Sequence, residues 1–226
     1  MTYVRHLLTH LRKDLRLEWR ARDSINGMLF FTLLVVVVFS LAFDPTAYPT
    51  VARQIAGGLL WVGLLFAAMT ALNQSWTREL RNGLIDAHRL SSAPASALFV
   101  GKALANFLFV SAVELVMTPV FAVLYNIHPA GNSPMLLLIL PLGTWAIVIN
   151  GTFFAALGLR TRNRELLLPL VLFPVTAPAL LAMIQATTCV LTGEPGVALW
   201  TRALVGYDIV FTTLAVLLFD VVLRED

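Results

Sequence analysis

The sequence predicts an all-α integral membrane protein: six transmembrane helices, with the N- and C-termini both in the cytoplasm. Three observations predict it. The chain of 226 residues is 58% hydrophobic but only 13% charged, about half the charged fraction that a water-soluble domain of this length needs to solvate its surface. It contains six apolar runs long enough, at about 1.5 Å per helical residue, to cross roughly 30 Å of hydrocarbon. Its basic residues fall on alternate connections between those runs.

The runs are placed at about 24–43, 55–72, 103–125, 135–157, 166–191 and 203–223. Every backbone amide in hydrocarbon must be satisfied inside the protein, so runs of this length are helices, and the short alternating strands of a barrel are absent. The first run, beginning at Ser24, has no small-residue cleavage site and reads as a retained span rather than a signal peptide. Asp44-Pro45, the stretch from Asn126 to Pro134, and the stretch from Gly193 to Gly196 supply turn chemistry between spans. The whole chain, 1–226, reads as a single transmembrane domain.

Orientation follows from arginine and lysine. Fourteen of the sixteen lie in the N-terminal segment, in the connections after the second and fourth spans, and at the C-terminus; two, Arg53 and Arg202, lie in the others. The positive-inside rule assigns the fourteen to the cytoplasm. The translocated connections are short, and neither side has room for a catalytic domain, so any energy source is a partner or an ion gradient.

Residues 1–22 are amphipathic. Val4, Leu7, Leu8, Leu11, Leu15 and Trp19 recur at helical spacing, with Arg5, Arg12, Lys13, Arg16 and Arg20 mainly opposite. Such a helix lies in the headgroup region, as a topology-fixing anchor, a partner-facing element, or both. The cytoplasmic segment 73–102 is longer than a minimal helix connection. In it, Trp76, Leu80, Leu84 and Ala87 interleave with Arg78, Glu79, Arg81, Asp86 and Arg89, and Pro94 separates one helix from the next. It is either a coupling helix that transmits a push from a soluble partner or a solvated connection with some interfacial helix.

Within the spans, Pro169, Pro174 and Pro178 interrupt the fifth and predict a helix bent or partly broken, whether as a packing kink or as a pathway lining. Gly143, Gly151, Ala155 and Gly158 give the fourth span a small face for close helix packing. Glu114 falls near the middle of the third span, where it faces the protein interior as a structural hydrogen-bond partner or a proton relay. Asp208 falls near the end of the sixth, within reach of interfacial water. Cys189 is the only cysteine, which excludes an internal disulfide and a thiolate metal site. His6 and His10 stand four apart on an exposed basic helix, a poor metal setting, and His128 is alone in its loop. No HExxH, nucleotide-binding or GxSxG motif occurs. Neither metal ligation nor catalysis is expected of this chain.

Beyond these physical readings, the chain resembles a known family almost throughout. The resemblance runs from Lys13-Asp14-Leu15-Arg16-Leu17-Glu18-Trp19-Arg20, through Gly57-Gly58-Leu59-Leu60-Trp61, to Glu79, Gly83, Pro94 and Gly101-Lys102. It is densest at Gly151-Thr152-Phe153-Phe154-Ala155-Ala156 and at Arg162-Asn163-Arg164-Glu165-Leu166-Leu167-Leu168-Pro169, continues through Pro174 and Pro178, and closes with Tyr207-Asp208 and Phe219-Asp220. These residues resemble the heme exporter protein B (CcmB) family of cytochrome c biogenesis, and Glu79 to Lys102 looks like the ABC-2 class of exporter permeases in general. The resemblance implies a non-catalytic permease subunit in the bacterial inner membrane. It would pair with an ATP-binding subunit (CcmA-like), with haem-handling subunits (CcmC- and CcmD-like) and with a haem chaperone (CcmE-like), alongside a second permease copy. It implies that this chain binds no cofactor and that haem is handled by the partners, since the tryptophan-rich external loop and paired external histidines of a haem-presenting subunit are absent. On this reading Trp76, Arg78, Glu79, Arg81, Gly83, Leu84, Asp86 and Arg89 form the ATPase-coupling helix, with Arg78, Glu79 and Arg81 touching the ATPase. The alternative is an ABC-2 permease for a lipid, polysaccharide or drug. A membrane enzyme and an ion-driven carrier using Glu114 are the remaining classes.

Overall fold

The computed structural model describes residues 2–21, 23–81, 94–127, 133–158 and 164–224. Within them the chain is helical, with no strand. The helices are α1 (Thr2–Ala21), α2 (Asp23–Phe43), α3 (Pro49–Arg81), α4 (Ala95–Leu124), α5 (Leu136–Gly158), α6 (Arg164–Thr192) and α7 (Val197–Arg224), with a short 3-10 turn at Ser133–Met135. Helices α2 to α7 are the six that are long and apolar enough to cross a membrane.

Helices α3 and α5 form the centre, with 67% and 61% of their most apolar stretches buried, whereas α2 and α7, at 17% and 22%, lie at the periphery. Phe30, Leu41, Leu115, Leu137, Leu170 and Leu217 are among the large apolar side chains left on the outside, as they must be when the solvent is lipid. Helix α6 packs on α5, α3 and α7, while α2 leans on α3 and α4. The α2–α3 turn is held by Asp44, whose Oδ1 accepts a hydrogen bond of 2.6 Å from the Thr46 hydroxyl and others from the backbone amides of Thr46 and Ala47. The Thr46 hydroxyl first, then the Ala47 amide, holds the Asp44 carboxyl below its usual range.

Where α5 crosses α3, the small face read from the sequence receives a large one. Trp61 is fully buried and its Nε1 donates to Thr187 Oγ1 on α6 at 2.9 Å. A Cβ at Gly143 would lie 2.3 Å from the indole edge. Since Trp61 is tied at its nitrogen, its ring cannot swing aside, and only glycine fits there.

Two helices run well past the spans read for them. The sequence ends the second span at Leu72 and begins the third at Ala103, because polar residues take over between them, while marking Pro94 as a helix start. The helices do not stop there: α3 continues to Arg81, and α4 starts directly after Pro94, whose backbone is extended. Helix needs backbone bonds, not apolar composition, and the polar side chains find partners within the protein. At about 1.5 Å per residue, α3 with its 33 residues and α4 with its 30 are roughly 50 and 45 Å long. Both exceed the roughly 30 Å hydrocarbon core, and their Arg81 and Ala95 ends form a paired stalk packed by α1 and α7. Helix α6 is also continuous, from Arg164 to Thr192, with all three prolines inside; the partial break read from the sequence does not occur.

Replacing Gly143 by alanine is expected to lower stability by about 1–3 kcal/mol, through overpacking against Trp61. Thermal unfolding of the purified protein in mild detergent measures it. Gly206→Ala, where an added Cβ meets nothing within 4 Å, should leave the melting temperature unchanged.

Candidate functional site

The paired stalk of α3 and α4 meets α1 in a cluster of six charged side chains. Lys102 of α4 is 1% exposed. Its ammonium group has three N–H donors and three oxygen partners: Glu79 Oε1 at 2.9 Å, Asp14 Oδ2 at 3.1 Å and Ser75 Oγ at 3.3 Å. It also lies 5.1 Å from the centre of the Trp76 ring, within cation–π range. Lys13 reaches the same Glu79 oxygen at 2.5 Å and the other oxygen of Asp14 at 3.3 Å. Arg78 donates to Glu18 Oε2, and to Ser24 Oγ at 3.2 Å; Ser24 in turn donates to Gln74 Oε1 at 3.2 Å. Lys13, Arg78 and Lys102 thus balance Asp14, Glu18 and Glu79. Buried charge is tolerable only when paired and hydrogen-bonded; each of the six has an oppositely charged partner across three helices, and only Glu18 Oε1 among their buried oxygens has no hydrogen bond.

Beneath it, Trp76 is 1% exposed and donates from Nε1 to the Thr152 carbonyl of α5 at 2.8 Å. Asn106 donates to the Thr152 hydroxyl at 3.1 Å. The Trp76 ring packs on Phe219 of α7, which stacks on Phe99 of α4 with ring centres 4.8 Å apart. The ion cluster therefore sits on a rigid aromatic floor that reaches α4, α5 and α7.

This changes the roles of several residues singled out from the sequence. Trp76 and Glu79 are not on a docking surface. They are buried at 1% and 4% exposure, and Glu79 is held by two lysines, so neither has a face free to touch an ATPase. Arg78 is engaged by Glu18. The backbone of Arg81 ends α3, while Gly83, Leu84, Asp86 and Arg89 lie outside the described residues. Sequence reading missed Asp14, Glu18 and Lys102 as site residues. The available signal was a pair of carboxylates four apart on an otherwise basic helix. Helix α1 turns that acidic edge to the bundle, while Val4, Leu8 and Trp19 of the apolar stripe stay exposed. Its crossing of α4 is close: a Cβ at Gly101 would stand 3.0 Å from the Leu7 carbonyl and from His10 Cβ.

The intramembrane polar groups occupy a second region. Glu114 is 4% exposed and accepts from Thr144 Oγ1 of α5 at 2.6 Å. Asp208 is also buried, at 6%, and neither of its oxygens has a hydrogen-bond partner. The sequence placed Asp208 near a water interface. Helix α7 instead begins at Val197, which puts Asp208 about 17 Å along the helix, midway through the span. Next to it, Tyr207 donates to the Val175 carbonyl of α6 at 2.8 Å and receives a bond from Asn150 of α5 at 3.1 Å. The bond to Val175 ties α7 to α6 about one turn before Pro178. No group of three metal-ligating side chains forms among the described residues.

A bundle of six lipid-length helices, with an ion cluster at one end, defines a multi-pass membrane protein. The chain belongs to the CcmB protein family, whose pattern matches residues 5–225. It is similar to the heme exporter protein B of Pseudomonas aeruginosa, at 30% identity over 91% of this chain and 92% of that one. It is likewise similar to the heme exporter protein B of Rhodobacter capsulatus, at 33% identity over 76% of this chain and 77% of that one, and to that of Bradyrhizobium diazoefficiens, at 28% over 81% of each. It is a multi-pass protein of the bacterial inner membrane.

Removing the charge of Lys102 with methionine leaves Asp14 and Glu79 facing each other around Lys13 alone. The expected loss is about 3–5 kcal/mol, the usual cost of breaking a buried pair, measured by thermal unfolding in detergent. Adding Glu79→Gln restores neutrality and should recover most of it.

Proposed function

We propose that this chain is the non-catalytic permease subunit of an ATP-driven haem-export complex that serves cytochrome c maturation. Its family, and relatives named as heme exporters over nearly its whole length, support the haem assignment. The observation that carries the mechanical part is the stalk: α3 and α4 are unbroken helices longer than a hydrocarbon core, flank residues 82–93, and are clamped to α1 by the Lys102 cluster. A push delivered to residues 82–93 by a soluble partner would move both helices and α1 together, and would reach α5 and α7 through Trp76, Thr152 and Phe219.

On this reading the ATPase (CcmA-like) docks against the segment that holds Gly83, Leu84, Asp86 and Arg89, while Trp76, Arg78 and Glu79 act inside the chain as the rigid joint. The stalk end faces the cytoplasm, as the basic residues favour. The chain binds no cofactor, and haem is handled by CcmC- and CcmD-like subunits and passed to a CcmE-like chaperone. A second permease copy, or another permease-like subunit, completes the transporter.

Co-purification in mild detergent tests this. The intact chain should bring down an ATP-binding subunit together with haem-handling membrane subunits. The double variant Asp86→Lys/Arg89→Glu is expected to reduce the recovered ATPase at least tenfold, while Arg202→Gln, at the opposite end of the bundle, leaves recovery unchanged. Equal ATPase recovery with the double variant would remove residues 82–93 from the docking role, and partners without a haem-handling subunit would remove the haem assignment.

A further inference from the structure

The charges of α1 fall into two groups. Lys13, Asp14 and Glu18 are spent inside the ion cluster. Arg5, Arg12 and Arg16 are exposed, and among the described residues none of them has an acidic partner. At 100° per residue these three occupy one narrow stripe of the helix. The stripe beside it is apolar and open: Val4 is 58% exposed, Leu8 54% and Trp19 69%. A helix that sends its acidic edge inward and presents parallel basic and apolar stripes outward matches a molecule with an anionic head and a hydrocarbon tail.

The surface is shaped for such a molecule. A groove of about 530 Å³ opens between α1 and α4, lined by Arg12, Leu15, Arg16, Trp19 and Phe109. The neighbouring open face of α1 carries Val4, Leu8 and Leu17 and shares Arg12 and Arg16. Arg12 and Arg16 stand four residues apart, one turn along the helix, so both guanidinium groups can reach a single phosphate. Phe109 lies on α4 beside Leu108, which is exposed on the lipid side. A chain entering between Trp19 and Phe109 would therefore continue into the hydrocarbon along α4.

We propose that this groove is a binding site for one anionic phospholipid, with the phosphodiester between Arg12 and Arg16 and an acyl chain between Trp19 and Phe109. The lipid secures α1 on its outer side as the Lys102 cluster secures it on the inner. The site is independent of what the complex transports.

Native mass spectrometry of the full-length protein in mild detergent, titrated with phosphatidylglycerol or phosphatidylcholine, tests it. One phosphatidylglycerol should be retained per chain in preference to phosphatidylcholine. Arg12→Gln/Arg16→Gln should weaken retention about thirty-fold, the effect of two basic groups near an anionic headgroup. Arg12→Lys/Arg16→Lys, with charge kept, should retain most of the binding and shows whether the glutamine variant lost charge or fold. Arg202→Gln, at the far end of the bundle, should change nothing. Equal retention of the two lipids, or undiminished phosphatidylglycerol binding in the glutamine variant, would overturn the proposal. So would displacement of the lipid by millimolar inorganic phosphate, which would mark a phosphate site instead.

Discussion

Inside hydrocarbon, a polar group that finds no partner in the protein finds none at all, because the solvent offers neither donors nor acceptors. The backbone meets this condition by becoming helical. The side chains meet it less uniformly, and where they do determines how the helices are held. The same condition holds where helices pack closely outside the lipid, and Lys102 is the fullest case: every ammonium proton has an acceptor, and the three acceptors come from α1, α3 and the preceding turn of α3. Because all three are protein groups, the position of each of those helices is specified by the others.

The same condition accounts for features that look like exceptions. Helix α6 contains three prolines and still runs unbroken, and Tyr207 ties it to α7 through the Val175 carbonyl. Trp61 and Trp76 are both fully enclosed, and each indole nitrogen has an oxygen partner on a different helix. Buried tryptophan brings large contact area with one polar atom to satisfy, so a single bond orients a large packing surface. Gly143 completes that arrangement by leaving space for the Trp61 ring.

Together these contacts make the end of the bundle that holds the ion cluster a stiff unit. Force applied at the connection between α3 and α4 has no soft joint through which to dissipate, because α1 is clamped to both helices and the aromatic floor extends to α7. Permease function requires such stiffness near the partner and mobility elsewhere. Helix α2, peripheral and lipid-facing, has the smallest buried share of the six spans. Helix α1 serves two surfaces at once, with an ionic edge toward the bundle and an arginine stripe toward the surroundings.

How much of this was legible beforehand depends on the length scale of the signal. The number of spans follows from composition averaged over about twenty residues, a quantity that chain order alone contains, and the family follows from motifs such as Gly151 to Ala156 and Arg162 to Pro169. The burial of Glu114 could be read from its place in mid-span. The start of α4 could be read from Pro94, but the burial of the last turns of α3 could not, because polar residues such as Gln74, Arg78 and Glu79 mark a helix leaving lipid and a helix buried against another polar helix in the same way. The depth of Asp208 was misjudged for a related reason: it depends on where α7 begins, and Val197 carries no strong start signal. The partnership of Asp14, Glu79 and Lys102 spans 88 residues of sequence, and nothing local encodes it. Hydropathy and charge bias, which are sums over neighbours in the chain, determined the class of protein. Which charges neutralise one another, and so which helices move together, was decided only by the tertiary fold, because a buried ion pair is an interaction between neighbours in space.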